Sequence, residues 1–181
     1  MNEGLIPRRY ANAHFLTARE KGCERRLYDI MLRLEQSFAA TPDLQDTLSN
    51  PFVSEADKCR LLTTAAGATG ADTLFADFLW LLCRNRRIEF MRGIALAFLD
   101  IYRRENHIYV VRVESAAPLA PEEEQRIKRL VQSHIGDGTM EYTAGVNPTL
   151  IGGFTVAVGN DRIDASVSNE LKQLRLNLLS K

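Results

Sequence analysis

The chain has 181 residues, of which 45% are hydrophobic and 25% are charged. These proportions are typical of a folded globular protein and exclude a disordered chain, a collagen or a disulfide-rich miniprotein. Lys and Arg together number 23, as do Asp and Glu, so the formal net charge is zero. A general nucleic-acid binder usually carries a basic excess to neutralise phosphates, so the charge balance disfavours that class.

The sequence predicts neither a signal peptide nor a membrane-spanning helix. The N-terminal segment has arginines but no apolar run before a small-residue cleavage site. The most apolar stretch, Leu74 to Cys83, is broken by Asp77 and is shorter than the roughly 20 residues needed to cross a bilayer. An odd number of cysteines without CxxC spacing predicts reduced thiols in a cytosolic compartment. We expect Cys23, Cys59 and Cys83 to be small core residues.

The first hundred residues have helical periodicity interrupted by short breaks. One apolar stripe contains Leu27, Ile30, Met31, Leu34 and Phe38. Ser54 with Asp57 predicts a helix start, Gly67 a helix end, and Thr41 an N-cap before Pro42. The pattern predicts an all-helical domain of about six helices over residues 1–105.

A helix predicted from Leu74 to Asn85 is apolar on more than one side. Phe75, Phe78, Leu79 and Leu82 form one stripe, and Leu74, Trp80 and Leu81 lie outside it. Since one stripe is enough to reach a core, the second set must be buried in the bundle or offered to a partner.

Residues 106–181 are predicted to form a small α+β domain. Strand patterns cover His107 to Ser115, Met140 to Val146, Phe154 to Val158 and Ile163 to Ala165. Pro121 followed by three glutamates predicts a helix start. Val167, Leu171, Leu174 and Leu178 predict a final helix. Such a unit buries little core, so we expect it to be loose or to need a partner. The fold class is α+β overall.

No arrangement of residues predicts catalysis, and we expect no cofactor and no metal. The three histidines, His14, His107 and His134, fall in different elements without HExxH or Cys/His spacing. The pair Gly152 and Gly153 precedes a strand and lacks the lysine of a phosphate-binding loop, so a turn or bulge is favoured there. Gly159 predicts a turn between strands, and Asp164 with Ser166 predicts a capping or turn role.

The stretch from Asn147 to Leu174, NPTLIGGFTVAVGNDRIDASVSNELKQL, is closely similar to the signature of the ATP synthase delta subunit family, called the oligomycin-sensitivity-conferring protein in mitochondria. That signature is a Gly-Gly or similar turn, an apolar strand, a polar turn, Ile-Asp-x-Ser-Val and a leucine-spaced helix. The segment Arg9 to Phe15 resembles the Tyr-Ala-x-Ala start of the family's first helix. The resemblance extends over the whole chain and points to a bacterial member.

The resemblance implies a non-catalytic stator subunit in the peripheral stalk of a rotary ATP synthase, on the cytoplasmic face of the cell inner membrane. The helical domain would bind the N-terminal segments of alpha subunits, and the C-terminal domain would hold the C-terminal ends of b subunits, without direct membrane insertion. In the family, the first and fifth helices form the alpha-binding groove. Carried over by position, the partner-binding residues are Tyr10, Ala13, His14 and Thr17, on the outward side of the first helix, with Phe78 and Leu81 on the fifth.

One alternative stays open from the sequence. It is a helical adaptor with a small nucleic-acid-binding α+β domain, which would need a basic face built from Arg84, Arg86 and Arg87 with Arg103 and Arg104. The simpler interpretation of the run from Arg84 to Arg87, without any nucleic-acid binding, is a solvated connection between two helices.

Overall fold

The computed structural model describes residues 4–159, 161–167, 169 and 171–172. The chain divides into two units, Met1–Arg103 and Arg104–Lys181. The first unit is helical and the second combines a helix with a sheet. The predicted α+β fold class is therefore confirmed.

The first unit contains six α-helices and a 3₁₀ turn within its described residues. They are α1 (Leu5–Glu20), α2 (Glu24–Ala40), α3 (Asp43–Ser49), α4 (Glu55–Ala65), α5 (Thr73–Arg84), the 3₁₀ turn Ile88–Phe90 and α6 (Met91–Glu105). The last two residues of α6 belong to the second unit. No helix in the described part of the chain is long and apolar enough to cross a membrane.

The apolar stripes recognised in the sequence form the core of this unit. All five residues of the α2 stripe are buried, and Leu34 and Met31 are completely inaccessible. The first predicted stripe of α5 is buried as well, from Phe75 to Leu82. Burying such a side chain contributes roughly 1.5–3 kcal/mol, so these stripes supply the main drive for the helices to pack together.

Local signals set the helix ends. The Ser54 hydroxyl accepts a hydrogen bond from the Asp57 backbone N–H at 3.1 Å, as the sequence predicts. Gly67 follows α4 with φ +58°, and its N–H donates to the Thr64 carbonyl, which is the geometry that favours glycine at a helix end. The predicted start at Thr41 and Pro42 lies one residue ahead of α3, which begins at Asp43; Pro42 already has helical backbone angles, and the Thr41 carbonyl accepts from the Leu44 N–H.

A two-point ion pair fixes the start of α5. Arg26 on α2 donates to both carboxylate oxygens of Asp72, each at 2.8 Å. Asp72 also accepts from the backbone N–H and the hydroxyl of Thr69. The hydrogen bonds from Arg26 lead the interactions that hold the pKa of Asp72 well below its usual value. The pair thus ties the beginning of α5 to α2.

Within its described residues, the second unit contains a four-stranded sheet and one long helix. Its elements are β1 (Ile108–Ser115), α7 (Pro121–Ile135), β2 (Thr139–Val146), β3 (Gly153–Val158) and β4 (Asp161–Ser166). The strand order is β2-β1-β3-β4, with β1 and β2 parallel and the other neighbours antiparallel. The crossover from β1 to β2 is α7, as a parallel pair requires.

The core of this unit is small. Alternate residues of β1, Val111 and Val113, pack with Val156 of β3 and with Ile127 and Val131 of α7. The backbone N–H of Ala120 donates to Glu123 at 3.1 Å at the start of α7. Of the predicted final helix, Val167 and Leu171 are described and have helical backbone. Its other two predicted apolar positions, Leu174 and Leu178, lie outside the described residues.

Candidate functional site

An open groove of about 600 Å³ runs between α1 and α5. Eleven residues line it: Ile6, Arg9, Tyr10, Ala13, His14, Thr17, Leu74, Asp77, Phe78, Leu81 and Arg87. Its walls come from two helices and its rim carries charged side chains, so the surface is mainly apolar along its length and polar at its edges.

The α1 wall follows from helical spacing. Ile6, Tyr10, Ala13 and Thr17 recur three or four residues apart, which places them on one side of the helix. The opposite side carries Ala11, Phe15 and Ala18, all of which are buried. Ala13 is exposed, and its small side chain leaves the middle of this wall open.

The α5 wall combines Phe78 of the buried stripe with two residues of the second apolar set, Leu74 and Leu81. Leu74, Phe78 and Leu81 share one side of the helix at spacings of four and three residues. Phe78 is only 6% exposed, whereas Leu81 is 39% exposed. Phe78 therefore forms the base of the groove, and Leu81 presents apolar surface to solvent.

Trp80, which the sequence groups with Leu74 and Leu81, is 62% exposed and is not among the residues that line the groove. The Arg84 guanidinium lies 5.5 Å from its ring centroid. Trp80 thus belongs to a neighbouring surface of α5.

His14 does not point outward, as the family resemblance implied that it would. It is 4% exposed, and its imidazole stacks on Phe78 with 3.9 Å between ring centroids and 14° between ring planes. Its buried Nε2 has no hydrogen-bond partner among the described residues. Burial lowers the pKa of His14 to about 3, because charging an imidazole away from water is unfavourable. His14 is therefore a neutral core residue at the bottom of the groove.

Aromatic and cationic contacts close one end of the groove. The Asn85 side-chain amide donates to the Tyr10 hydroxyl at 3.1 Å. Arg87 lies over the Tyr10 ring, with its guanidinium carbon 5.7 Å from the ring centroid. Tyr10 also meets the Phe78 ring edge-on at 6.4 Å. These contacts hold Tyr10 in place and set a positive charge beside the apolar surface.

The structure brings all six predicted groove residues together, with His14 in a different orientation from the one expected. The remaining lining residues, Ile6, Arg9, Leu74, Asp77 and Arg87, were not assigned to the groove from the sequence. Helical spacing could have identified Ile6 and Asp77, because each lies three or four residues from a groove residue on the same helix. Arg87 follows the end of α5, and only the fold shows that it returns to Tyr10.

The glycine motif of the second unit has the geometry of a strand junction. Gly153 opens β3 with φ +80°, and a Cβ there would overlap the Ala165 carbonyl of β4 and lie 3.0 Å from the Ser166 Cα. Gly152 precedes it, and a Cβ there would lie 3.0 Å from a methyl group of Val167. Gly159, with φ +57°, follows β3 in a turn. The paired glycines thus enter a strand and not a helix.

Asp164 and Ser166 organise the end of β4. The Asp164 carboxylate accepts from the Ser166 N–H at 3.0 Å, and the Ser166 hydroxyl accepts from the Asn169 N–H at 3.3 Å. The Ser166 side chain, followed by its backbone N–H, lowers the pKa of Asp164 by hydrogen bonding to the carboxylate. In the described part of the chain, no group of three or more His, Cys, Asp or Glu side chains is arranged to hold a metal ion.

Comparison with known proteins identifies the family. The family model described as "ATP synthase delta (OSCP) subunit" matches residues 6–178. The ATP synthase subunit delta of Bacteroides thetaiotaomicron is 38% identical and aligns over 100% of this chain and 97% of its own length. The corresponding subunit of Picosynechococcus is 31% identical over 94% of this chain and 91% of its own.

A solved structure agrees in fold. A chain of the Toxoplasma gondii mitochondrial ATP synthase hexamer superposes with a TM-score of 0.71, covering 96% of this chain and 97% of that chain at 23% identity. These matches do not favour the alternative of a nucleic-acid-binding adaptor. The chain belongs to the ATP synthase delta (OSCP) subunit family, which is that of a structural stator subunit and not a catalytic one.

Proposed function

We propose that this chain is the stator subunit that joins the catalytic head of a rotary proton-translocating ATP synthase to its peripheral stalk. The groove between α1 and α5 binds the N-terminal segments of alpha subunits, and the second unit holds the C-terminal ends of b subunits. The assembled subunit lies at the cytoplasmic face of the cell inner membrane. It keeps the head from turning with the rotor, so rotation is coupled to synthesis or hydrolysis of ATP.

The groove itself is the observation that supports the proposed contact with alpha subunits. Ile6, Leu74 and Leu81 supply apolar surface, and Ala13 leaves room between the walls. Recognition of an amphipathic helix by an apolar groove uses this combination of features. From Ile6 to Thr17 the α1 wall rises about 17 Å, at about 1.5 Å per residue, which matches roughly three turns of a bound helix.

The rim of the groove adds charge to this recognition. Arg9 and Asp77 are exposed, and Arg87 is half-buried over Tyr10. An amphipathic helix has polar residues at the margins of its apolar face, so these three side chains would meet that margin. Charges at a rim mainly set orientation and association rate, whereas the apolar centre supplies affinity.

The second unit supports the b-subunit contact by its exposed apolar residues. Ile151, Ile163 and Val146 are 79%, 61% and 53% exposed. The described core of this unit rests on five buried side chains, and a core of that size gives little stability to an isolated domain. Binding of partner segments would cover such residues and stabilise the folded form.

The groove assignment is tested by titrating an alpha-subunit N-terminal peptide into variants of the full chain. Ala13→Asp places a carboxylate in the groove, and Ala76→Asp makes the same change at an exposed α5 position outside it. Burial of an unpaired carboxylate against an apolar helix costs several kcal/mol, and each 1.4 kcal/mol weakens affinity about tenfold. We expect at least a tenfold loss for Ala13→Asp and no loss for Ala76→Asp.

A leucine pair gives a second comparison. Leu81→Asp alters the groove, whereas Leu16→Asp alters an exposed residue of α1 outside it. Thermal melts of all four variants separate lost binding from lost folding. Unchanged peptide affinity in folded Ala13→Asp and Leu81→Asp variants would rule out the groove as the binding surface.

A further inference from the structure

Two of the three cysteines meet although 24 residues separate them. The Sγ atoms of Cys59 on α4 and Cys83 on α5 are 2.8 Å apart. The Cys83 Sγ also lies 3.9 Å from the backbone carbonyl of Glu55, one turn earlier on α4. Both contacts direct the Cys83 thiol at α4. The distance between the sulfurs is only about 0.8 Å longer than a disulfide bond.

We propose that Cys59 and Cys83 form a reversible dithiol–disulfide site that links α4 to α5. The oxidant is a low-molecular-mass disulfide, and the product is an intramolecular disulfide. The site depends on the packing of two helices within the first unit and not on what binds in the groove.

Accessibility sets the order of the two steps. Cys59 is half-buried, whereas Cys83 is 6% exposed. The Cys59 thiolate therefore attacks the external disulfide RSSR first, forming a mixed disulfide and releasing one RS⁻. The Cys83 thiolate then attacks the Cys59 sulfur, forming the Cys59–Cys83 bond and expelling the second RS⁻. The two protons lost by the cysteines convert the released thiolates into two RSH, and two electrons pass to the external disulfide.

The second step should be the slower one. Burial raises the pKa of the Cys83 thiol, and the neighbouring Cys59 thiol raises it further. Only the thiolate is nucleophilic, so the reactive fraction of Cys83 is small at neutral pH and grows as the pH rises. Closure of the mixed disulfide should therefore accelerate with increasing pH.

Closure would fasten the helix that forms one wall of the groove. Leu74, Phe78 and Leu81 lie on α5 with Cys83. A bond to α4 also closes a loop of chain and restricts the unfolded state. The oxidised protein should consequently melt at a higher temperature than the reduced protein.

The experiment treats the reduced full-length protein with oxidised glutathione, blocks remaining thiols by alkylation and maps disulfides in an unreduced tryptic digest. The expected result is a linked pair of peptides containing Cys59 and Cys83, with Cys23, which is half-buried like Cys59, outside that bond and either free or carrying glutathione. Dithiothreitol should restore the thiols and the lower melting temperature. Cys23→Ser should behave like the parent protein.

Two variants resolve the steps. Cys83→Ala should stop at a glutathione adduct on Cys59, and Cys59→Ser should leave Cys83 unmodified, because that thiol is buried. Circular dichroism checks that each variant is folded. If a variant fails to fold, the disulfide mapping of the parent protein still tests the proposal. Retention of all three thiols, a bond between Cys23 and another cysteine, or disulfide-linked dimers through Cys59 would overturn the proposal.

Discussion

At the scale of single residues, His14 is an imidazole buried at the bottom of the groove. Its ring lies flat on Phe78, its Nε2 has no partner among the described residues, and burial lowers its pKa to about 3. In the unfolded chain the same group titrates near 6.5. The folded state therefore binds fewer protons than the unfolded state between these two values, so its stability falls as the pH falls through this range.

The pH dependence of unfolding should change in a His14→Phe variant. Lowering the pH from 7 to about 5.5 should destabilise the parent protein by about 1 kcal/mol through His14. Phe keeps an aromatic ring against Phe78 and cannot be protonated, so this part of the pH dependence should disappear. Urea unfolding of both proteins at the two pH values gives the difference, and carboxylates common to both cancel. Equal pH dependence would contradict the burial of a neutral His14.

Gly153 and Gly152 are adjacent but have different constraints. Gly153 combines a φ of +80° with a position against the backbone of β4, whereas at Gly152 an added Cβ would meet only a valine methyl group. Backbone cannot move aside as a flexible side chain can. The sequence predicted a turn or bulge at this pair without separating its members, and the structure distinguishes the two.

Gly153→Ala should destabilise the second unit by roughly 1–3 kcal/mol from the backbone conformation alone, with additional loss from the overlap with Ala165. Gly152→Ala should cost less, because Val167 can adjust. Thermal melts of the full chain, monitored for the second unit by hydrogen exchange of β3 amides, test the order. A Gly152→Ala variant less stable than Gly153→Ala would contradict this geometry.

At the scale of elements, α5 shows what a sequence pattern can and cannot predict. Periodicity identified the helix, its buried stripe and a surplus apolar set, because each depends only on local spacing. It could not decide which surplus residues form the groove, since Leu81 lines it and Trp80 does not. The burial of His14 and the meeting of Cys59 with Cys83 also depend on contacts between distant segments, which one sequence does not reveal.

Arg86, just after the end of α5, has a backbone conformation that favours glycine, and the cost of this mismatch can be measured. Arg86 has φ +54°, and its N–H and that of Arg87 donate to the carbonyls of Cys83 and Leu82. Gly67 has the corresponding role after α4. A non-glycine residue in this conformation costs roughly 1–2 kcal/mol.

Arg86→Gly should therefore stabilise the first unit by about 0.5–1 kcal/mol, because the entropy of glycine in the unfolded chain offsets part of the gain. Arg84→Gly, inside the last turn of α5, should instead destabilise it by about 1 kcal/mol. Chemical denaturation of both variants provides the comparison. A destabilising Arg86→Gly would show that the arginine side chain matters more than its backbone conformation.

At the scale of the whole molecule, the family and the α+β fold class were predictable because the C-terminal motif is specific. The independence of the two units remains a prediction. Residues 1–105 contain the buried stripes of α2 and α5 and the whole of α6, so this fragment should fold alone, with a helical spectrum and a cooperative thermal transition. A spectrum typical of a disordered chain would contradict it. The described residues of the second unit include fewer buried hydrophobic side chains than those of the first, and we expect the isolated fragment 106–181 to be much less stable.

The most direct test of the stator role is to measure ATP hydrolysis and ATP-driven proton pumping in membranes whose synthase carries Ala13→Asp, with Ala76→Asp as the matched control. We expect the soluble head to hydrolyse ATP at the parent rate with either variant. Proton pumping should fall with Ala13→Asp and persist with Ala76→Asp, because only the first change weakens attachment of the head. Full pumping with a folded Ala13→Asp subunit that no longer binds the alpha-subunit peptide would contradict the proposed coupling through the groove.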